Sequence, residues 1–280
     1  MVKTRSVGIL WLYQLPNWLL CLLVVGVFTI VSLAGLALTR PWVSSFRTHH
    51  NDMVASFAAS VGVLYAVLLA MIAVAAWTNY TTVDSLAAQE ADLVHSLFRD
   101  IEAFSPSERD ELRGLLREYV DTVIHTEWPA LQSGLPDKRA ALVVDSIFSG
   151  WMKLEPKTEA EKIITAETLA RLNLFQTVRR NRLQTGSNGL DAVLWVVVLA
   201  GAIVSIGICY LFWMENKTLH QVMISILGTM IGVVVYLILA LDHPMWGAIT
   251  IQPAAFESVA DSMDRVLHPL TPGERRVSQR

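Results

Sequence analysis

Seven histidines, two cysteines and a spread of carboxylates are the side chains through which this chain could do chemistry. His49 and His50 adjoin Asn51 and Asp52, a cluster that could hold a metal ion. Adjacent imidazoles point in different directions from a helix, however, and Asp52 is the only carboxylate at ligand spacing. A helix N-cap by Asn51 or Asp52 explains the cluster better. His95 with Asp92, and His125 with Asp121, pair an imidazole with a carboxylate as a general base would. Both pairs lie on amphipathic helices, where such neighbours usually form a solvated face. Cys21 and Cys209 sit inside apolar runs, which excludes a disulfide framework and a zinc site. No phosphate-binding glycine loop, nucleophile elbow or metal-ligand spacing occurs. The residues specify no enzyme, no cofactor and no metal site.

The composition says where such a chain resides. Hydrophobic residues make up 53% and charged residues only 17%, with a mean hydropathy of +0.45. These values point to an integral membrane protein whose first partner is the lipid bilayer. The net charge of −3 gives no sign of a nucleic-acid partner.

Apolar runs and helix punctuation then divide the chain. Residues 1–17 read as an interfacial lead-in, and residues 18–77 hold transmembrane helices 1 and 2. Lys3 and Arg5 before Val7–Leu15 resemble a signal peptide, but no small-residue cleavage site follows. Residues 78–189 are polar and strongly helical. Ser105-Pro106-Ser107-Glu108 is a capping box opening a helix that buries Leu112, Leu115, Leu116, Tyr119, Val123 and Ile124 and ends near Trp128-Pro129. A further helix from about Pro136 turns Leu142, Val143, Ile147 and Trp151 inward. Thr158-Glu159-Ala160-Glu161 is a second capping box, and Gly186-Ser187-Asn188-Gly189 stops the helix it opens. Residues 190–241 hold transmembrane helices 3 and 4, the latter with a GxxxG pair, Gly228 and Gly232, for helix packing. Residues 242–280 form a tail in which Phe256, Val259, Met263 and Leu267 make one apolar helical face, expected to dock on the bundle. The fold class is an all-α membrane protein, four transmembrane helices with a cytosolic helical bundle inserted between helices 2 and 3.

The second helix organises this plan. From Asn51 to about Phe104 no Gly-Pro punctuation interrupts the passage from an apolar run into an amphipathic one carrying Leu86, Leu93, Leu97 and Ile101. Such a helix would be about 75–80 Å long and would tie the membrane layer rigidly to the bundle. Its membrane half has two faces. Ala55, Ala59, Gly62, Ala66, Ala70, Ala73 and Ala76 form a small-residue stripe, with Gly62 and Ala66 as packing candidates. Val61, Leu64, Leu68 and Ile72 form a bulky face that would stack as apolar rings lining a pore, with Asn51 and Asp52 at its mouth. Four crossings place both termini and the bundle on one side. Juxtamembrane basic residues on that side are Lys3, Arg5, Arg179, Arg180 and Arg182, against Arg40, Arg47 and Lys217 opposite. The bias favours a cytoplasmic bundle and cytoplasmic termini.

His50-Asn51-Asp52 opening helix 2, Glu127-Trp128-Pro129 within the bundle, and Leu241-Asp242 with Pro244 and Gly247 after the last helix resemble, in order and spacing, the bestrophin-like membrane family of bacteria and plants. The resemblance covers about residues 17–260. Bestrophins are oligomeric ion channels, usually pentamers, with a helical cytosolic domain and a narrow apolar neck on the second membrane helix. This chain departs from them in having no acidic run like their calcium clasp and no aromatic-rich neck. The resemblance implies an oligomeric bestrophin-like ion channel, a homopentamer or other cyclic homo-oligomer passing ions, with anions slightly favoured by analogy. The alternative is a non-conducting membrane scaffold or sensor whose bundle binds a partner protein.

Overall fold

The computed structural model describes residues 10–43, 51–135, 137–246 and 250–267. The basic residues Lys3, Arg5 and Arg47, the pair His49-His50, Pro136, Gly247 and the end of the tail lie outside the described residues. All regular structure among the described residues is helical. Four helical stretches, within Asn17–Val43, Asn51–Ala103, Glu159–Tyr210 and Lys217–Asp242, are long and apolar enough to cross a membrane. The chain divides into two compact units, residues 1–80 with 188–249, and residues 81–187 with 250–280.

The first unit contains α1 (Leu10–Tyr13), α2 (Asn17–Val43), the first part of α3 (Asn51–Asp100), α8 (Ala192–Tyr210) and α9 (Lys217–Asp242). Pro16 separates α1 from α2, and its carbonyl accepts from the backbone N–H groups of Leu19 and Leu20 at 2.9 and 3.0 Å. α2 and α9 lie close because their contact is built from small residues. A β-carbon added at Gly228 would meet Ser32 Oγ at 2.6 Å, and one at Gly232 would meet Val25 Cα at 2.9 Å. Hydroxyls along this seam satisfy themselves locally, Ser32 on the Phe28 carbonyl at 2.6 Å, while Thr29 and Thr229 meet at 3.0 Å. α3 and α8 join through Tyr65, whose hydroxyl donates to the Val198 carbonyl at 2.9 Å and whose ring fills the space left by Gly201. Tyr65, Leu69 and Ile72 thereby enter a core with Val198, Ala202, Ile206, Ile231, Val235 and Ile238.

The second unit contains the remainder of α3, α4 (Pro106–Thr122), α5 (Trp128–Gln132), α6 (Arg139–Trp151), α7 (Glu159–Ser187) and α10 (Ala254–Leu267). Both expected caps form. The Glu108 carboxylate accepts from the Ser105 backbone N–H at 3.3 Å. Glu161 accepts from Thr158 N–H while Thr158 Oγ1 accepts from Glu161 N–H, each at 3.1 Å. Phe256, Val259 and Met263 are buried in this unit, and Asp264 pairs with Arg117, so α10 docks through three of the four expected residues, while Leu267 at its end is exposed.

Two expectations change. The helix begun at Pro106 does not end at Trp128-Pro129. It passes through a π-helical turn, Val123–Glu127, into α5, with the Trp128 N–H bonded to the Val123 carbonyl five residues back. Pro129 then falls in the first turn of α5, where its missing N–H costs little. Leu142 points outward, 64% exposed, while Ala140, Val143, Val144, Ile147 and Trp151 fill the inner face of α6. At 100° per residue, Leu142 cannot share a face with both Val143 and Trp151.

Candidate functional site

The membrane part of α3 has a covered and an uncovered side. Tyr65, Leu69, Ile72 and Ala76 recur every three or four residues and face the core of the first unit. Leu64 and Leu68 are 67% and 46% exposed, Val61 is half-buried, and Ile72 is only 6% exposed. Ile72 thus sits at the inner edge of the bulky face and is occupied within the chain. The small stripe is uncovered at Ala55, Ala59, Ala66 and Ala70, and a β-carbon on Gly62 would meet nothing within 4 Å. Gly228 and Gly232 differ from Gly62 in that α2 already uses them.

Asn51 opens α3 but does not cap it. Its carboxamide donates to the Trp213 carbonyl at 2.9 Å and accepts from the Trp213 N–H at 3.1 Å, clamping the start of α3 to the turn between α8 and α9. Asp52 is exposed in the first helical turn, where unpaired N–H groups favour a carboxylate. At the opposite end of α9, Asp242 plays the corresponding role. Its Oδ1 accepts from the Leu190 N–H at 2.5 Å, and its Oδ2 from the Trp195 indole at 3.2 Å. The neighbouring His243 ring stacks on Trp246 at 3.9 Å. Burial lowers the affinity of His243 for a proton below its ordinary value, against the pull of Asp242.

The second unit encloses a cluster of charges that sequence reasoning missed. Arg182 donates through Nε to Glu90 Oε2 at 2.6 Å, and through Nη2 to Glu90 Oε1 at 3.1 Å and Glu127 Oε1 at 2.7 Å. Arg179 donates to Glu127 through both terminal nitrogens and to the Tyr119 hydroxyl at 2.7 Å, and that hydroxyl in turn donates to Glu90. All five residues are buried. The Arg182 guanidinium lies 5.0 Å from the Trp128 ring centroid, and the Trp128 indole donates to the Ile251 carbonyl at 2.8 Å. The π-helical turn carries Glu127 and Trp128 to the inner side together. Two guanidiniums balance two carboxylates, so the cluster is neutral.

This is a lock rather than a reaction centre. Both carboxylates of the cluster are held by guanidinium groups. Burial alone would raise the Glu127 carboxyl, but Arg182 and Arg179 outweigh it and hold the group below its ordinary value. Burial, reinforced by Glu90, drives the Tyr119 hydroxyl well above its own. The signal in the sequence was a charge inside an apolar stripe. Glu90 belongs to the series Val83, Ala87, Glu90, Val94, Leu97, and Arg179 and Arg182 to the series Thr168, Leu172, Phe175, Arg179, Arg182. His125 is exposed, its Nδ1 3.1 Å from the Asp121 carbonyl oxygen. No metal-holding group of three or more His, Cys, Asp or Glu occurs among the described residues.

Residues 13–256 match the family model of the Bestrophin-like domain. Among solved structures, one variant of a bacterial bestrophin homologue from Klebsiella pneumoniae superposes with a TM-score of 0.65 at 10% identity, over 89% of this chain and 99% of that chain. A second variant of the same homologue gives 0.63 at 11% identity, over 89% and 98%. A crystal structure of a membrane protein gives 0.63 at 10% identity, again over 89% and 98%. At these identities the likeness is one of fold. No curated protein matches the sequence.

Proposed function

Because this chain belongs to the Bestrophin-like family, we propose that it is an oligomeric ion channel of the membrane, with α3 nearest the axis. The uncovered side of α3 carries the proposal. A membrane helix whose bulky residues Leu64 and Leu68 and small residues Ala59 and Ala66 are uncovered among the described residues, with open space beside Gly62, has two faces to offer to neighbouring copies. The small stripe permits close approach between copies of α3, which leaves Val61, Leu64 and Leu68 towards the axis. Rings of this kind gate by dewetting, because water between apolar walls loses hydrogen bonds that the walls do not replace. Ile72 is withdrawn from that wall by its own core contacts.

The assembly is a homopentamer or another cyclic homo-oligomer, and Asp52 lies at its outer mouth. The charge bias favours the helical bundle and both termini in the cytoplasm, and the likeness to bacterial bestrophin homologues suits a bacterial inner membrane. Anions are slightly favoured, by analogy with bestrophins. Ion flux into liposomes containing the purified chain is the deciding measurement. A flux no greater than that of protein-free liposomes rejects the channel. The second reading, a non-conducting scaffold or sensor, draws on exposed apolar residues of the bundle, Leu135, Leu142 and Met152, which suit a partner protein.

A further inference from the structure

At the end of the membrane unit where α8 turns into α9 there is a cavity of about 480 Å³, a volume within the range of small-molecule sites. Phe212, Met214, Met223 and Cys209 give it an apolar, polarisable lining, and Asp52 is the one carboxylate on its wall. Asp52 forms no ion pair among the described residues. The wall is held in place, since the Asn51 carboxamide engages both backbone polar groups of Trp213, between Phe212 and Met214. His220 is buried on the same wall, with Nε2 3.3 Å from the Cys209 carbonyl oxygen. Only an N–H can donate there, so that nitrogen is spent on the wall itself.

We propose that this cavity binds a lipophilic organic cation, a phosphonium or alkylated ammonium, with Asp52 as its counter-ion. The chemistry excludes the other occupants in turn. An anion would face an unpaired carboxylate. A small inorganic cation would lose hydration that apolar walls cannot replace, and no three metal-ligating groups converge among the described residues. A neutral lipid tail would bury Asp52 without a partner, which is costly. A delocalised cation sheds little hydration, pairs with Asp52, and suits the aromatic and thioether side chains of Phe212, Met214 and Met223 that line the cavity.

The test uses the full-length protein in detergent and in nanodiscs, with Cys21→Ser so that Cys209 is the only thiol. Tetraphenylphosphonium is the probe, and tetraphenylborate, its anionic isostere, is the control. Binding is read by equilibrium dialysis and by the rate at which N-ethylmaleimide alkylates Cys209. The expected result is saturable phosphonium binding that slows alkylation at least fivefold, no slowing by the borate, and at least a tenfold weaker phosphonium affinity in Asp52→Asn. Equal protection by both ions, unchanged affinity in Asp52→Asn, or no saturable binding by the assembled protein each overturns the proposal. The last of these is the result if a second copy fills the cavity. Should Cys209 resist alkylation, dialysis alone decides. Neither readout requires conduction, so their failure leaves the channel reading untouched, and absence of flux leaves this site untouched.

Discussion

One helix serves two solvents in this chain, and its two parts are held by opposite means. Up to Tyr80, α3 joins its unit through packing and neutral hydrogen bonds, those of Asn51 with Trp213 and of Tyr65 with Val198 among them, with Tyr65 lying in the space that Gly201 leaves open. Beyond Thr81 the same helix contributes Glu90 to a buried four-charge lock with Glu127, Arg179 and Arg182. In hydrocarbon no hydrophobic force separates a helix from lipid, so close approach between small residues has to supply the attraction. In a bundle bathed by water the hydrophobic effect gathers the helices, and paired charges then fix which faces meet. The membrane part can leave one side uncovered without penalty. The bundle must satisfy every charge it encloses.

The largest way to break this contrast is to unbalance the lock. Arg182→Met leaves Glu90 in the interior with only the Tyr119 hydroxyl and Arg179 at 3.5 Å, and is expected to cost about 3–5 kcal/mol, seen as a large drop in melting temperature and folded yield. Replacing Glu90 and Arg182 together by glutamine should restore much of the loss, since Arg179 and Glu127 remain paired. A double variant no more stable than Arg182→Met would mean that the charges do not act as a unit.

Next in size is a pair of glycines. Gly201→Leu drives a side chain into the Tyr65 ring and should cost about 1–3 kcal/mol of stability. Gly62→Leu places its β-carbon in open space among the described residues and should leave the fold alone while dissociating the oligomer in mild detergent. An oligomer that survives Gly62→Leu would remove the small stripe from the subunit contact.

Acid should distinguish the two parts more gently. Glu127 has a depressed folded-state pKa, so its stabilisation is present above the ordinary carboxylate value and is lost as pH falls through the lowered one. Thermal melts of the full chain should therefore destabilise progressively below about pH 4.5, and Glu127→Gln, weaker at neutral pH, should flatten that slope. The membrane part of α3 offers no buried carboxylate between Met53 and Trp77 to add to the effect. An equal slope in parent and variant would assign acid sensitivity elsewhere.

The smaller effects belong to the proposed pore. Leu68→Ala should raise conductance or open probability severalfold, and Leu68→Ser more, because a hydroxyl also retains water. Flux unchanged in both would turn the small stripe, not the bulky face, towards the axis. Asp52→Asn should shift the reversal potential under a salt gradient by a few millivolts, as surface charge is screened within about 10 Å. Identical potentials would take Asp52 out of the permeation path.

What the sequence determined by itself is what neighbouring residues decide among themselves. Four apolar runs, the reciprocal cap between Thr158 and Glu161, and the face of α10 bearing Phe256, Val259 and Met263 need only a helical period and a reach of four residues. The GxxxG pair of α9 was legible as a packing face, though not as one that receives Val25 and Ser32 of α2. Tertiary structure alone decided the rest. It joined Glu90 to Arg182 across 92 residues and Asn51 to Trp213 across 162, took Ile72 into the core, and turned Leu142 out. A charge in an apolar stripe reads the same in sequence whether it is paired or solvated. Its partner is chosen by three-dimensional packing, where the cost of an unpaired buried charge leaves one arrangement standing.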